Sequence, residues 1–104
     1  MRATAEIKKV IETRLKNYVS RDKTGIRREM LKLFLKLRSI TIHRMFEYLN
    51  KKFSISYHSV AAMVGIAASR LGILHVNRTK EGTTSVYELK EQYFDLVTRI
   101  IGPA

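Results

Sequence analysis

Apolar residues recur at spacings of three and four in five segments of the chain, which is the pattern of one face of an α-helix. The pattern predicts helices over about residues 3–19, 26–38, 42–51, 57–71 and 91–101. The positions expected to face the core are, in chain order, Ile7, Val10, Ile11, Leu15, Tyr18 and Val19; Ile26, Met30, Leu33, Phe34 and Leu37; Ile42, Met45, Phe46 and Leu49; Val60, Val64, Ala67 and Leu71; and Phe94, Val97, Ile100 and Ile101.

Short polar segments separate these helices and carry residues that favour helix ends. Thr41 and Ser56 precede the third and fourth helices, where a hydroxyl oxygen can accept an N–H of the first turn. Gly72 follows the fourth helix, at a position where a left-handed residue ends many helices. Residues 73–79 and 85–89 resemble strands and flank a polar loop that contains a glycine, which predicts a β-hairpin. We therefore expect a mostly helical α+β fold in one domain over residues 1–104.

The composition predicts a folded protein that is attracted to polyanions. Apolar residues make up 45% of the 104 positions, which is enough for a packed core, and the formal net charge is +11. Twelve of the twenty basic residues and only four of the nine acidic ones lie in residues 1–38, so the excess charge belongs to the N-terminal part. The chain has no cysteine, no secretory leader and no apolar run longer than nine residues, which together predict a cytoplasmic protein that does not bind membranes.

Catalytic chemistry is poorly represented in the sequence. His43, His58 and His75 fall on three different predicted elements, and none has a second metal ligand at helical spacing. No glycine-rich phosphate loop is present, and the acidic residues are scattered. We expect a protein that is not an enzyme and that holds no metal or cofactor.

The order of the elements is the most specific signal in the sequence. The order is three helices, a hairpin and a further helix. A tight turn over residues 53–56 joins the two helices that precede the hairpin. Val60 and Val64 lie on the fourth helix, which is followed by a run at 71–74 (LGIL), a loop at 78–83 (RTKEGT) and a second run at 86–89 (VYEL). In these features, residues 26–89 resemble the winged helix-turn-helix superfamily. Residues 1–25 and 90–104 would then be additional N-terminal and C-terminal helices. The whole chain also resembles a small archaeal family of winged-helix proteins whose function is not established, and that resemblance implies no functional residues.

The winged-helix resemblance implies a transcription regulator that docks helix 57–71 in the major groove of double-stranded DNA and uses hairpin 73–89 as the wing. Two sets of residues would contact the DNA, one facing the bases and one facing the phosphates, and a basic face of the second helix would support them. They are Tyr57, His58, Ser59 and Ala62 for the bases, Thr41, Arg44, Ser56, Arg78 and Lys80 for the phosphates, and Arg27, Arg28, Lys32, Lys36 and Arg38 for the supporting surface. That basic face is equally consistent with a solvated helix surface that binds nothing.

The outward face of helix 57–71 leaves a second function open. His58, Ala62, Gly65 and Ser69 lie opposite Val60, and none of them is an Arg, Lys, Asn or Gln, the side chains that make paired contacts to purine edges. A face of small residues also allows another helix to approach closely, so the alternative is a protein–protein interaction module. The apolar stripes of the first and last helices predict a homodimer, unless the two helices pack on each other within one chain.

Overall fold

The computed structural model describes residues 4–78 and 84–102, and over these ranges the chain forms five α-helices, three short β-strands and one 3₁₀ turn. In chain order these are α1 (Thr4–Ser20), α2 (Ile26–Leu37), β1 (Ser39–Thr41), α3 (Ile42–Leu49), α4 (Tyr57–Ser69), β2 (Leu74–Arg78), β3 (Ser85–Leu89), the 3₁₀ turn Glu91–Tyr93 and α5 (Phe94–Ile101). The fold is α+β and mostly helical, as expected from the sequence.

Two hydrogen bonds and one backbone angle confirm three of the predicted helix ends. Thr41 Oγ1 accepts from the backbone N–H of Arg44 at 3.2 Å, and Ser56 Oγ accepts from that of Ser59 at 3.1 Å. Gly72 has a φ of +69°, which lets the chain turn back over the end of α4. The third helix ends at Leu49 and the fourth at Ser69, two residues earlier than the spacing indicates in each case.

The sheet contains one strand that the sequence pattern does not predict. Strand β3 lies in the centre and pairs antiparallel with both neighbours, so that Tyr87 is opposite Ile40 of β1 and Val76 of β2. A strand of three residues is too short to show an alternating pattern of its own. The predicted hairpin is present in its two strands, whereas the loop at 79–83 lies outside the described residues.

The core is one cluster to which all five helices contribute. Leu15, Phe34, Met45, Val60 and Val97 are fully buried at its centre. Three predicted core positions are wrong: Ile7, Val10 and Leu37 are 42%, 37% and 41% exposed, because the first half of α1 and the last residue of α2 extend beyond the packed core.

Helices α1 and α5 pack on each other and on α2 within the chain. Their apolar stripes are therefore largely covered without a second copy, and Leu15 of α1 and Leu96 and Val97 of α5 are fully buried or nearly so. The homodimer stays a prediction, but most of the surface on which it was based is used inside the chain.

Candidate nucleic-acid interface

The first two turns of α4 present the residues predicted to face DNA bases. Tyr57, His58, Ser59 and Ala62 are exposed, while Val60 is fully buried on the other side of the same turns. The ring of Tyr57 is 48% exposed, and it contacts Phe46 of α3 edge-on at 5.7 Å between ring centroids. This contact fixes the start of α4 against α3, so that the exposed side chains project from a packed helix rather than from a loop.

The N-terminus of α4 is open to an anion. Ser56 Oγ takes the N–H of Ser59 and lies 3.0 Å from the hydroxyl oxygen of the same residue. The N–H groups of Tyr57 and His58 have no acceptor within the helix, as is general for the first residues of a helix. Together with the positive end of the helix dipole, these groups favour a phosphate oxygen.

Arg44 provides a cation at the start of the neighbouring helix. Its side chain is exposed and lies between two shallow depressions, one of about 300 Å³ that it shares with Thr41 and Val86, and one of about 210 Å³ that it shares with Glu47 and Lys51. Because Thr41 is both the last residue of β1 and the cap of α3, the position of Arg44 is fixed by sheet pairing and by the helix at once.

The hairpin is described only in its strands. His75, Val76, Asn77 and Arg78 of β2 are exposed, as befits a strand at the edge of the sheet, and Arg78 pairs with Ser85 of β3. Lys80, the other residue predicted to contact phosphate from the wing, lies outside the described residues.

The supporting basic surface is not one continuous ridge. Arg27 Nη1 donates to the carbonyl of Tyr18 at 2.8 Å and Arg28 Nη1 to that of Ile101 at 2.8 Å, and the guanidinium of Arg38 stacks over the ring of Phe94 at 4.4 Å. These arginines are therefore held by α1 and α5, because α2 packs against both helices. Lys32 is half-buried and Lys36 is exposed on the outer side of the helix.

No metal site is evident in the part of the chain that the structure describes. His43, His58 and His75 are exposed on different elements; Nε2 of His43 lies 3.8 Å from a carboxylate oxygen of Glu47, and this pair has no third ligand. Over the same residues, no helix is long and apolar enough to cross a bilayer.

A second cluster of basic residues lies at the opposite end of α4, and Arg27 is the one member of it that the predicted site includes. Arg14 of α1 and Arg21, which directly follows α1, lie there with Arg70 and Arg27 around one pocket. Arg14, Asn17 and Arg21 are spaced three and four residues apart, which places them on one helix face and is a signal that the sequence contains. Arg70 is 56 residues away from Arg14, so its approach to this face could not be predicted from the sequence.

Comparison with known proteins gives a family and a relative. The family model described as "Protein of unknown function (DUF2551)" matches residues 15–97. A protein of the archaeon Archaeoglobus fulgidus, described as uncharacterized, is 41% identical over 92 residues, which cover 88% of this chain and 92% of that protein. No solved structure matches the chain. The expected relationship to archaeal proteins is thus confirmed, and the matches assign no activity.

Proposed function

We propose that this chain, which belongs to the DUF2551 family over residues 15–97, is a DNA-binding protein of transcription-regulator type with a winged helix-turn-helix core. In this proposal α4 docks in the major groove and the β2–β3 hairpin is the wing. The order of three helices followed by a hairpin supports it, and β1 adds a third strand that fixes the hairpin to the start of α3.

The observation that carries the proposal is that α4 has one buried face and, in its first turns, one exposed face. Val60 and Val64 anchor the helix in the core, while His58, Ser59 and Ala62 are exposed on its outer side. A helix that reads DNA needs this arrangement, because its base-facing side chains must be held by a rigid scaffold.

Electrostatics supports a large contribution from the DNA backbone. The net charge of +11 attracts a polyanion, and Arg44 with the open N-terminus of α4 offers phosphate contacts next to the exposed turns. Direct reading of bases would be modest, since serine accepts several base patterns and alanine contacts chiefly the thymine methyl group. We therefore expect strong binding to any duplex and a limited preference among sequences.

The proposal is tested by changing one cation in the site and one outside it. Arg44→Gln removes a charge from the candidate interface; Arg99→Gln removes the same charge from the surface that α5 shares with Glu12 and Lys16 of α1. Binding to a fluorescent duplex is measured by anisotropy at several salt concentrations. Arg44→Gln should weaken binding and flatten the slope of log affinity against log salt by about one unit, whereas Arg99→Gln should leave the slope nearly unchanged. Equal effects of both variants would contradict the assignment of the interface.

A second candidate function, protein–protein interaction through α4, is favoured by one observation. A Cβ added at Gly65 would meet no atom within 4 Å outside the helix's own backbone, and Ala62 and Ser69 on the same face are exposed. This smooth surface of small residues would accept a helix of a partner protein or of a second copy. Sedimentation of the wild type and of Gly65→Arg tests this function, because association without DNA that the substitution abolishes would place the contact on this face of α4.

A further inference from the structure

A pocket of about 500 Å³ lies where α1 and the start of α2 meet the C-terminal end of α4. Arg14, Arg21, Arg27 and Arg70 line it, and its lining includes no acidic side chain. Tyr18, Ile66 and Leu71 add apolar surface. The volume is within the range of sites that bind small molecules and is larger than a single phosphate ion requires.

Over residues 4–78 and 84–102, no acidic side chain forms an ion pair with these arginines. Among the residues that the structure describes, the ion pairs are Lys16–Glu12, His43–Glu47 and Lys52–Glu29, none of which involves the pocket. Asp22, which follows Arg21 directly, accepts from the backbone N–H groups of Gly25, Arg27 and Arg28 at 3.1–3.2 Å and so stabilises the start of α2. Because like charges repel, four guanidinium groups without a counterion favour the binding of an anion.

Two of the guanidinium groups are already held in place. Arg14 Nη1 donates to the carbonyl of Arg70 at 3.2 Å, and Arg27 Nη1 donates to that of Tyr18 while the group stacks over the Tyr18 ring at 4.3 Å. A guanidinium has five N–H donors, so each group retains donors for a ligand. The N–H groups of a guanidinium lie in one plane and can donate in pairs to phosphate oxygens. Because Arg14 and Arg27 are already held in place, less conformational entropy is lost when a ligand binds.

Tyr18 supplies an independent observation. Its side chain is buried, yet its hydroxyl has no hydrogen-bond partner among the described residues, and burial raises the pKa of the phenol so that it remains a neutral donor. A buried donor without an acceptor is unfavourable and uncommon in folded proteins. Tyr18 is one of the residues that line the pocket, together with the four arginines.

We propose that this pocket binds a small molecule that carries a phosphoryl group, with the arginines holding the phosphoryl oxygens and the apolar wall contacting the rest of the molecule. The pocket lies about 20 Å from the DNA-facing turns of α4, because this helix has 13 residues and the two sites lie at its opposite ends; the two sites share only Arg27, which also belongs to the basic face of α2. The proposal does not depend on DNA binding.

The test measures binding of pyrophosphate and of a nucleoside triphosphate by calorimetry at about 0.15 M salt, where attraction between distant exposed charges is screened. Arg14→Gln/Arg21→Gln is compared with Lys9→Gln/Arg99→Gln, which removes the same charge from exposed positions outside both sites. The pocket variant should lose about tenfold or more in affinity and the control variant little, because hydrogen bonds to charged groups are lost only in the first. Equal losses, or no binding by the wild type, would overturn the proposal.

A third variant and a competition experiment complete the test. Ser69→Asp places a carboxylate in the pocket and leaves every arginine intact, so it should also weaken ligand binding even if the double variant folds poorly. Duplex DNA is added as a competitor. A ligand that stays bound at saturating DNA supports a separate site, whereas displacement in proportion to DNA binding would show that the arginines contact the DNA backbone. A protein that binds the phosphorylated ligand but no DNA would support the pocket and contradict only the proposed function.

Discussion

Replacing Gly65 tests how α4 is placed in the fold. Gly65 lies in the middle of this helix, its φ is in the ordinary range, and a Cβ at this position would meet no atom within 4 Å outside the helix. Alanine is better than glycine in a helix interior by about 0.8–1.0 kcal/mol, and nothing in the structure offsets that gain. For a domain of about 100 residues, 1 kcal/mol corresponds to a rise in Tm of about 4–8 °C.

Thermal unfolding followed by circular dichroism measures this shift directly for Gly65→Ala. A fall in Tm would show that the backbone at this position is in close contact with another element, and the assignment of the outer face of α4 would be wrong. Gly65→Arg then adds charge to the same face with a similar gain in stability. In the DNA-binding proposal it should raise affinity for duplex DNA and steepen the salt dependence; in the interaction proposal it should disrupt association. A folded monomer with unimproved DNA binding would contradict the DNA-binding proposal.

Three other substitutions test the packing that supports these sites. Val64→Asp places an unpaired charge at a position that is 1% exposed, so urea denaturation should show a loss of several kcal/mol; an unchanged midpoint would mean that another face of α4 is buried. Asp22→Ala removes the acceptor of three backbone N–H groups at the start of α2 and should lower stability by about 1–2 kcal/mol in the same assay, and a neutral result would show that water replaces it. Tyr18→Phe removes a buried hydroxyl without a partner and should raise stability by about 1 kcal/mol at neutral pH. Because burial raises the pKa of Tyr18 in the folded state, the wild type should also lose stability as the pH rises above about 10, and the variant should lose less; identical pH profiles would contradict this.

The sequence predicts those parts of the fold that depend on local interactions. The helices follow from apolar spacing, and Thr41 and Ser56 set two of their starts through hydrogen bonds that span three residues. Strand β1 could not be predicted in this way, since its pairing partners at 86–88 are more than forty residues away. Arg38 is a related case: its φ of +67° is rare for a residue with a side chain, and its contact with Phe94 comes from a distant helix.

The same distinction applies to the candidate sites. The exposure of His58 and Ala62 opposite Val60 follows from helical periodicity, and the structure agrees with it. The partners of Arg27 and Arg28 depend on how α1 and α5 pack against α2, so the basic stripe alone could not show that these side chains form hydrogen bonds. The arginine pocket combines α1, α2 and α4 and could be found only from the fold.

The central claim, that this protein binds DNA through contacts that include several phosphates, is tested most directly by the salt dependence of wild-type binding to a random duplex. If Arg44, the N-terminus of α4 and the hairpin each contact a phosphate, log affinity should fall linearly with log salt with a slope of about −3 or steeper. Absence of binding at low salt would contradict the account, and so would binding with a slope near zero.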